Sequence, residues 1–437
     1  MTRKVGRAVL AAALLVALSL GVLAAFGGGD SLPAPPKPPR KSADATAPQT
    51  RLQVAGAYDT RRGWEIAGAS DRYATAPSAG LIGYLARVSE TTYVLKAVDA
   101  RTGEQRWQSR EWQPLSDPLY FPRLFGVAKD GREYFVASSH GDTGDDALTR
   151  GKAVVALDIH EAGTGSVRHL EVPWEESPEV SGGGAGVLIG RDGPEAAVVD
   201  PADGTVKRTG AKQLKPPKGC AACGRLTEVK GLTERGLLAA GTKGFWVRGG
   251  WYSARVAPRG ADRGSGVPTA VADGQVLARW EKRKGTAHAR DNDLWAVHDA
   301  STGAVRTTVE CEKPFLQPGE YPEAVLSAGG RYLVAGQLAF DLREKKGYCF
   351  QEKGLTKGLN LASVTDDGIA YGAVGARSAG EAIEGGGAPV QVALATGEPE
   401  ALSANTRVPA ADLGGVGLFS YVDAKERSHL IGYARRR

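Results

Sequence analysis

Four cysteines, six histidines and one methionine in 437 residues leave few groups for thiol or imidazole chemistry. The histidines are His140, His160, His169, His288, His298 and His429, and none stands in an H-E-x-x-H or nucleophile-elbow context. Helical periodicity is almost missing beyond residue 26, which excludes a helical bundle and a doubly wound α/β fold. A dominant charge is missing too. The net charge is +6, and residues 1–50 account for +4 of it (Arg3, Lys4, Arg7, Lys37, Arg40 and Lys41 against Asp30 and Asp44), leaving 6 − 4 = +2 for the rest. That excludes the basic face a nucleic-acid binder needs, and Arg283/Lys284 and Arg435–Arg437 read as solvated surface. The triplets Gly182–Gly184 and Gly385–Gly387 are followed by neither a helix nor Lys-Ser/Thr, so they are connections and not phosphate loops.

What the chain has in quantity is turn formers: 59 glycines and 24 prolines. It opens on a basic leader, residues 1–7, and then runs from Ala8 to Phe26, nineteen positions without a charge. Nineteen apolar residues cross a bilayer as a helix, and the basic leader places the N-terminus in the cytoplasm. A cleavable signal peptide is the competing reading; the weak cleavage option near Ala25 and the length of the run favour an uncleaved anchor. With the first cysteine at Cys220, a lipid-modified N-terminal cysteine is excluded. Residues 27–50 hold too few large apolar side chains to offset their ordering entropy, and Pro33–Pro39 is stiff, so a disordered stalk is expected. The layout is a single-pass membrane anchor carrying an extracellular head, residues 51–437.

The head is organised around Tyr93–Trp107, YVLKAVDARTGEQRW. An alternating β-favouring run turns through Asp99–Gly103 and leaves on a strand ending in Trp107. Copies recur near positions 59, 158, 200, 299, 341 and 395, with an eroded one in Phe245-WVRGGWYSARV near Trp251. The spacing averages about 48 residues, close to one four-stranded propeller blade. Between the copies lie short apolar strands, Gly80-LIGYLARV, Gly186-VLIG and Gly274-QVLARW among them. The fold class is therefore all-β, a single β-propeller of eight four-stranded blades, or seven if the copy near Trp251 is not a blade. Residues 58–66 supply an outer strand without an inner half, and 417–433 inner strands without an outer one, so their pairing closes the ring.

The turn pattern Val98-Asp99-x-x-Thr102-Gly103-x-x-x-Trp107 resembles the repeat of the PQQ-like β-propellers, which include quinoprotein dehydrogenases and non-catalytic outer-membrane assembly lipoproteins. Asp299, Thr302 and Gly303 match it without the Trp, and the Gly, Ala and Arg bias is similar to that of actinobacterial chains. The resemblance implies that Asp and Thr hold each turn while the closing Trp docks on the next blade. The quinone enzymes pair adjacent cysteines beneath the cofactor, whereas Cys220 and Cys223 have two residues between them, so no quinone and no other cofactor is expected.

Outside the membrane thiols oxidise. Cys220–Cys223 reads as a local disulfide, since no zinc ligand is near and no helix start activates a thiol, and Cys311 pairs with Cys349 from comparable strands of neighbouring blades. Asp142, Asp145 and Asp146 form the densest acidic loop and are the calcium candidates, though without EF-hand spacing; Asp291-Asn-Asp293 invites the same thought with less support. No catalytic residue is assigned. The expected function is a monomeric, non-enzymatic binding or scaffold head for a protein, peptide or cell-wall component. The alternative is an enzyme, a hydrolase or quinoprotein relative, with a site at the channel mouth; a signalling sensor is disfavoured by the short cytoplasmic leader.

Overall fold

The computed structural model describes residues 46–115, 122–144, 151–220, 223–224, 226–314 and 321–436. The expected leader and anchor, residues 1–26, lie outside the described residues, as does 27–45 of the stalk. Among the described residues no helix is long and apolar enough to cross a membrane.

The chain forms eight antiparallel sheets, each made of strands consecutive in sequence except one. Blade 1 shows the plan: Ala69–Ala76, Leu81–Arg87, Tyr93–Asp99 and Gln105–Gln108, running outward from the centre. Blades 2 to 7 follow at 123–173, 179–209, 228–247, 267–312, 325–349 and 359–401. Blade 8 combines Ala411–Leu413, Val416–Val422 and Ser428–Arg435 with Tyr58–Ala67, so the first strand of the ring pairs with the last, Trp64 opposite Gly432. This is the expected closure, and the count is eight.

Blade 4 departs from four strands. Its third strand, Phe245–Val247, is followed by a tight turn at Arg248–Gly250 and a short helix, α1 (Ser253–Val256), in place of an outer strand. The helix covers the edge. Val247 N–H donates to the Trp251 carbonyl, and the Ser253 hydroxyl accepts from Phe245 N–H at 3.1 Å. This is the eroded copy read from the sequence.

The core is divided among the eight seams between neighbouring blades, each with its own apolar cluster. The apolar runs expected as inner strands are the second strands of the blades, and they bury on both faces: Leu81–Leu85 and Gly186–Gly190 are buried throughout.

The outer turns hold as the pattern requires. Asp99 Oδ1 accepts from Arg101 and Thr102 N–H at 3.0 and 3.1 Å, and Gly103 takes φ +70°. Asp299 repeats this with Thr302 N–H and hydroxyl, both at 2.8 Å. In blade 2 the expected turn residue was Asp158, but the strand runs on to Glu161, whose carbonyl accepts from Gly165 N–H. Asp158 instead faces His169 across the strand pair at 2.9 Å.

The closing aromatics lock the seams. Trp107 Nε1–H donates to the Ala162 carbonyl of blade 2 at 2.7 Å, with its ring over Gly165. Trp64 reaches Ala100 and Trp251 reaches Ala300, each at 2.9 Å. In blade 6 Tyr348 takes the same role through its hydroxyl, 2.7 Å from the Leu394 carbonyl. In blade 2 it falls to Arg168, which lies over Gly204 and donates to Ala202 at 3.0 Å. Only Trp107 stands at that place in the sequence pattern; the others depend on strand register.

Candidate functional site

The residues that chemistry would use are mostly committed to the frame. His160 and His298, each just before an outer turn, lie beneath docked rings: Trp107 stacks on His160 (centroids 5.6 Å apart) and Trp251 on His298 (5.9 Å). Burial pushes the His298 imidazole down to about 4, against its bond to the Gly303 carbonyl, and burial lowers His160 in the same direction. His429 places one ring nitrogen 2.8 Å from Glu65 and the other 3.2 Å from Asp423. Glu65 also accepts from Gln49 N–H, Thr50 N–H and the Thr50 hydroxyl. Burial opposes its ionisation, but these donors outweigh burial and hold its carboxyl below the usual range. The chain thus engages the propeller from Thr46 onward, ahead of the expected boundary at 51.

Both cysteine pairs are joined, Cys220 to Cys223 and Cys311 to Cys349, and no described cysteine is free. The second bridge links the outer strands of blades 5 and 6. Of the calcium candidates, Asp142 is exposed at the end of Arg132–Thr143, while Asp145 and Asp146 lie outside the described residues. Asp293 is buried beside Arg279 at 3.7 Å, with Asp291 at the surface. Among the described residues no three His, Cys, Asp or Glu converge as a metal site. Asp99, Thr102, Gly103, Trp107, Asp299, Thr302 and Gly303 serve the turns and seams described above.

Among the described residues two concave sites stand out, on opposite ends of the strands. The larger is a groove of about 1340 Å³ across blades 2 and 3, on the end bearing the loops between second and third strands. Trp174 lies in it, with the Arg208 guanidinium 5.4 Å above its ring and His140 Nε2 3.1 Å from its carbonyl. Glu179 is engaged by Arg191 at 3.3 Å and Asp192 by Lys230 at 2.7 Å. Asp142, Glu175, Glu176 and Glu195 line the groove, and their carboxylates have no hydrogen bond or ion pair among the described residues. Sequence reasoning reached only Asp142 of these, because the loops that supply the rest are far apart in the chain.

The smaller site is a cleft of about 550 Å³ at the seam of blades 3 and 4, at the end bearing the outer turns. Ala185, Val198, Leu232 and Leu237 form its floor; Asp203, Lys207, Glu234, Arg235 and Arg248 its rim; Lys129 and Asp200 pair within it. At the same end, Asp273 on the inner turn of blade 5 has its carboxyl raised, first by the surrounding chain and then by the Glu133 carboxylate.

No family model matches the sequence, and the comparison with curated proteins finds no relative. Among solved structures, the β-propeller domain of the Trilobed protease from Pyrococcus furiosus is 12% identical at TM-score 0.39, over 84% of this chain and 95% of that one. Saccharomyces cerevisiae Sqt1 is 12% identical at TM-score 0.40, over 89% and 100%. The RRP9 WD40 repeats are 8% identical at TM-score 0.33, over 88% and 99%. At identities and scores this low the likeness goes no further than the β-propeller class.

Proposed function

We propose that this chain is a non-enzymatic binding head of the PQQ-like type, held at the outer membrane face by its N-terminal segment, which captures a cationic segment of a protein or peptide. The observation that supports the reading is the groove across blades 2 and 3, where Asp142, Glu175, Glu176 and Glu195 surround Trp174 with carboxylates that have no ion pair among the described residues. Unpaired carboxylates on a rigid ring attract Lys and Arg side chains, and an indole face accepts their stems and cations. A hexalysine peptide titrated calorimetrically into the full chain tests it. Binding weakens by about tenfold or more when Glu175, Glu176 and Glu195 are all changed to Gln, and similarly between about 0.1 M and about 1 M NaCl. A peptide that binds the triple variant as well as the parent removes the proposal.

A further inference from the structure

The seam between blades 3 and 4 lacks the docked side chain that closes the seams 8–1, 1–2, 2–3, 4–5 and 6–7; the seam between blades 5 and 6, where Thr307 stands at the docking position, lacks one too but carries the Cys311–Cys349 bridge. Where a ring docks, it covers the turn glycine of the next blade: a Cβ on Gly165 would lie 2.7 Å from Trp107, one on Gly303 2.6 Å from Trp251, and one on Gly397 2.4 Å from Tyr348. Gly204 is covered by Arg168 in the same way, at 2.8 Å. In each case a carbonyl next to the turn accepts the N–H or O–H of the docked side chain. On blade 3, strand register places Lys207 opposite Val198, where Trp107 stands opposite Ala97 and Tyr348 opposite Ala339. Lys207 is exposed and has no ion pair among the described residues.

The receiving side is nonetheless built. Blade 4 presents Gly249 at φ +75° with nothing within 4 Å of its Cβ position. Arg248 occupies the place of Ala162 and Ala300: its N–H reaches back to the Leu237 carbonyl as theirs do to Glu133 and Gly274. No described donor reaches the Arg248 carbonyl. Between these groups lies the apolar floor of Ala185, Val198, Leu232 and Leu237, in a cleft of about 550 Å³. That volume lies within the range that holds small ligands and single side chains.

We propose that this cleft is an open docking notch for a tryptophan side chain of a partner protein, its ring over Gly249 and its N–H on the Arg248 carbonyl. The ring supplies from outside what Trp107 and Trp251 supply from within. Charge bears on the flanking sequence: with Lys129 and Asp200 paired, Lys207, Arg235 and Arg248 exceed Asp203 and Glu234, so an acidic residue beside the tryptophan is preferred. The notch lies at the opposite end of the strands from the acidic groove and is independent of it.

The probe is acetyl-Asp-(5-fluorotryptophan)-Gly-amide, followed by ¹⁹F line broadening with the full chain. It binds with a Kd of about 0.1–1 mM, as expected for one anchoring side chain. Lys207→Trp lets the chain dock its own ring: probe affinity falls by about tenfold or more, and the melting temperature rises by about 1–2 °C. Ala185→Phe, which fills the cleft from blade 3's inner turn, also abolishes probe binding, while Lys207→Gln leaves the notch open and keeps it. Absence of broadening with the parent chain overturns the proposal, as does undiminished binding to both filled variants. A concentration-dependent dimer that Lys207→Trp abolishes would assign the notch to a second copy of the chain and overturn it equally. None of these results alters the hexalysine titration, so the two readings fail separately.

Discussion

His298 should make the fold acid-sensitive in a defined window. The ring has no exposed surface; it lies among Trp251, Phe245 and Trp280 and donates from Nδ1 to the Gly303 carbonyl at 3.0 Å. Burial lowers its pKa from 6.5 to about 4. Above pH 6.5 the ring is neutral whether the chain is folded or not, and its contribution is fully present. As pH falls from 6.5 towards 4, the unfolded chain takes up a proton that the folded chain refuses, so stability is lost through that window and levels off below it. At 1.36 kcal/mol per tenfold, the loss is about 3 kcal/mol. His160, lowered for the same reason, adds a loss of the same sign. Urea unfolding at a series of pH values measures the slope. His298→Asn keeps an N–H for the Gly303 carbonyl but cannot titrate. It should lower stability at pH 7 by the lost stacking, while flattening the decline between pH 6.5 and 4. An undiminished decline in this variant would refute the assignment.

The other expectations concern the seams and the bridges. Trp251→Ala removes a buried indole that joins blade 4 to blade 5 and should cost about 3–5 kcal/mol in chemical denaturation. Trp251→Phe keeps most of the packing but leaves the Ala300 carbonyl unpaired, a loss of about 1–3 kcal/mol. Replacing Cys311 and Cys349 by Ala opens a closure spanning 38 residues and should lower stability by about 4 kcal/mol by the chain-entropy estimate. The same change at Cys220 and Cys223, 3 residues apart, should cost under half of that. Glu65→Gln weakens the acceptor for Gln49 and Thr50, and hydrogen exchange at those two amides should accelerate while blades 2 to 6 stay protected.

Much of the ring was legible because its outer hairpins use residues that few other structures require. A glycine at φ +70° or +76° after an Asp that accepts from the amides or hydroxyls of the next few residues leaves a short, recognisable string. The second strands were legible for another reason: buried on both faces, they read as unbroken apolar runs. The innermost strands were not. Arg123–Lys129 and Glu179–Gly183 are only partly buried and rich in Gly and charge, as strands bordering an open centre can be, and sequence pattern does not separate them from loops. In blade 2, Glu161 does the work of the expected Asp, since that position needs its backbone more than its side chain. The docking role passed to Tyr348 and Arg168 because a flat group with one donor suffices there. Both concave sites depend on register and loop placement, which local pattern does not carry.

The pairing of Tyr58–Ala67 with Ser428–Arg435 has a consequence for biosynthesis. The ring's first strand emerges early and then waits for a partner synthesised last. Until blade 8 is complete, Tyr58–Ala67 stays an unpaired edge, and Trp64, already able to seat against Ala100, keeps its other flank uncovered. Loop closure over so many residues costs only slightly more than over half as many, so the delay is set by translation and not by chain entropy. Blades 1 to 7 can form one after another as they appear, whereas the eighth forms only when nothing of the ring remains to be made.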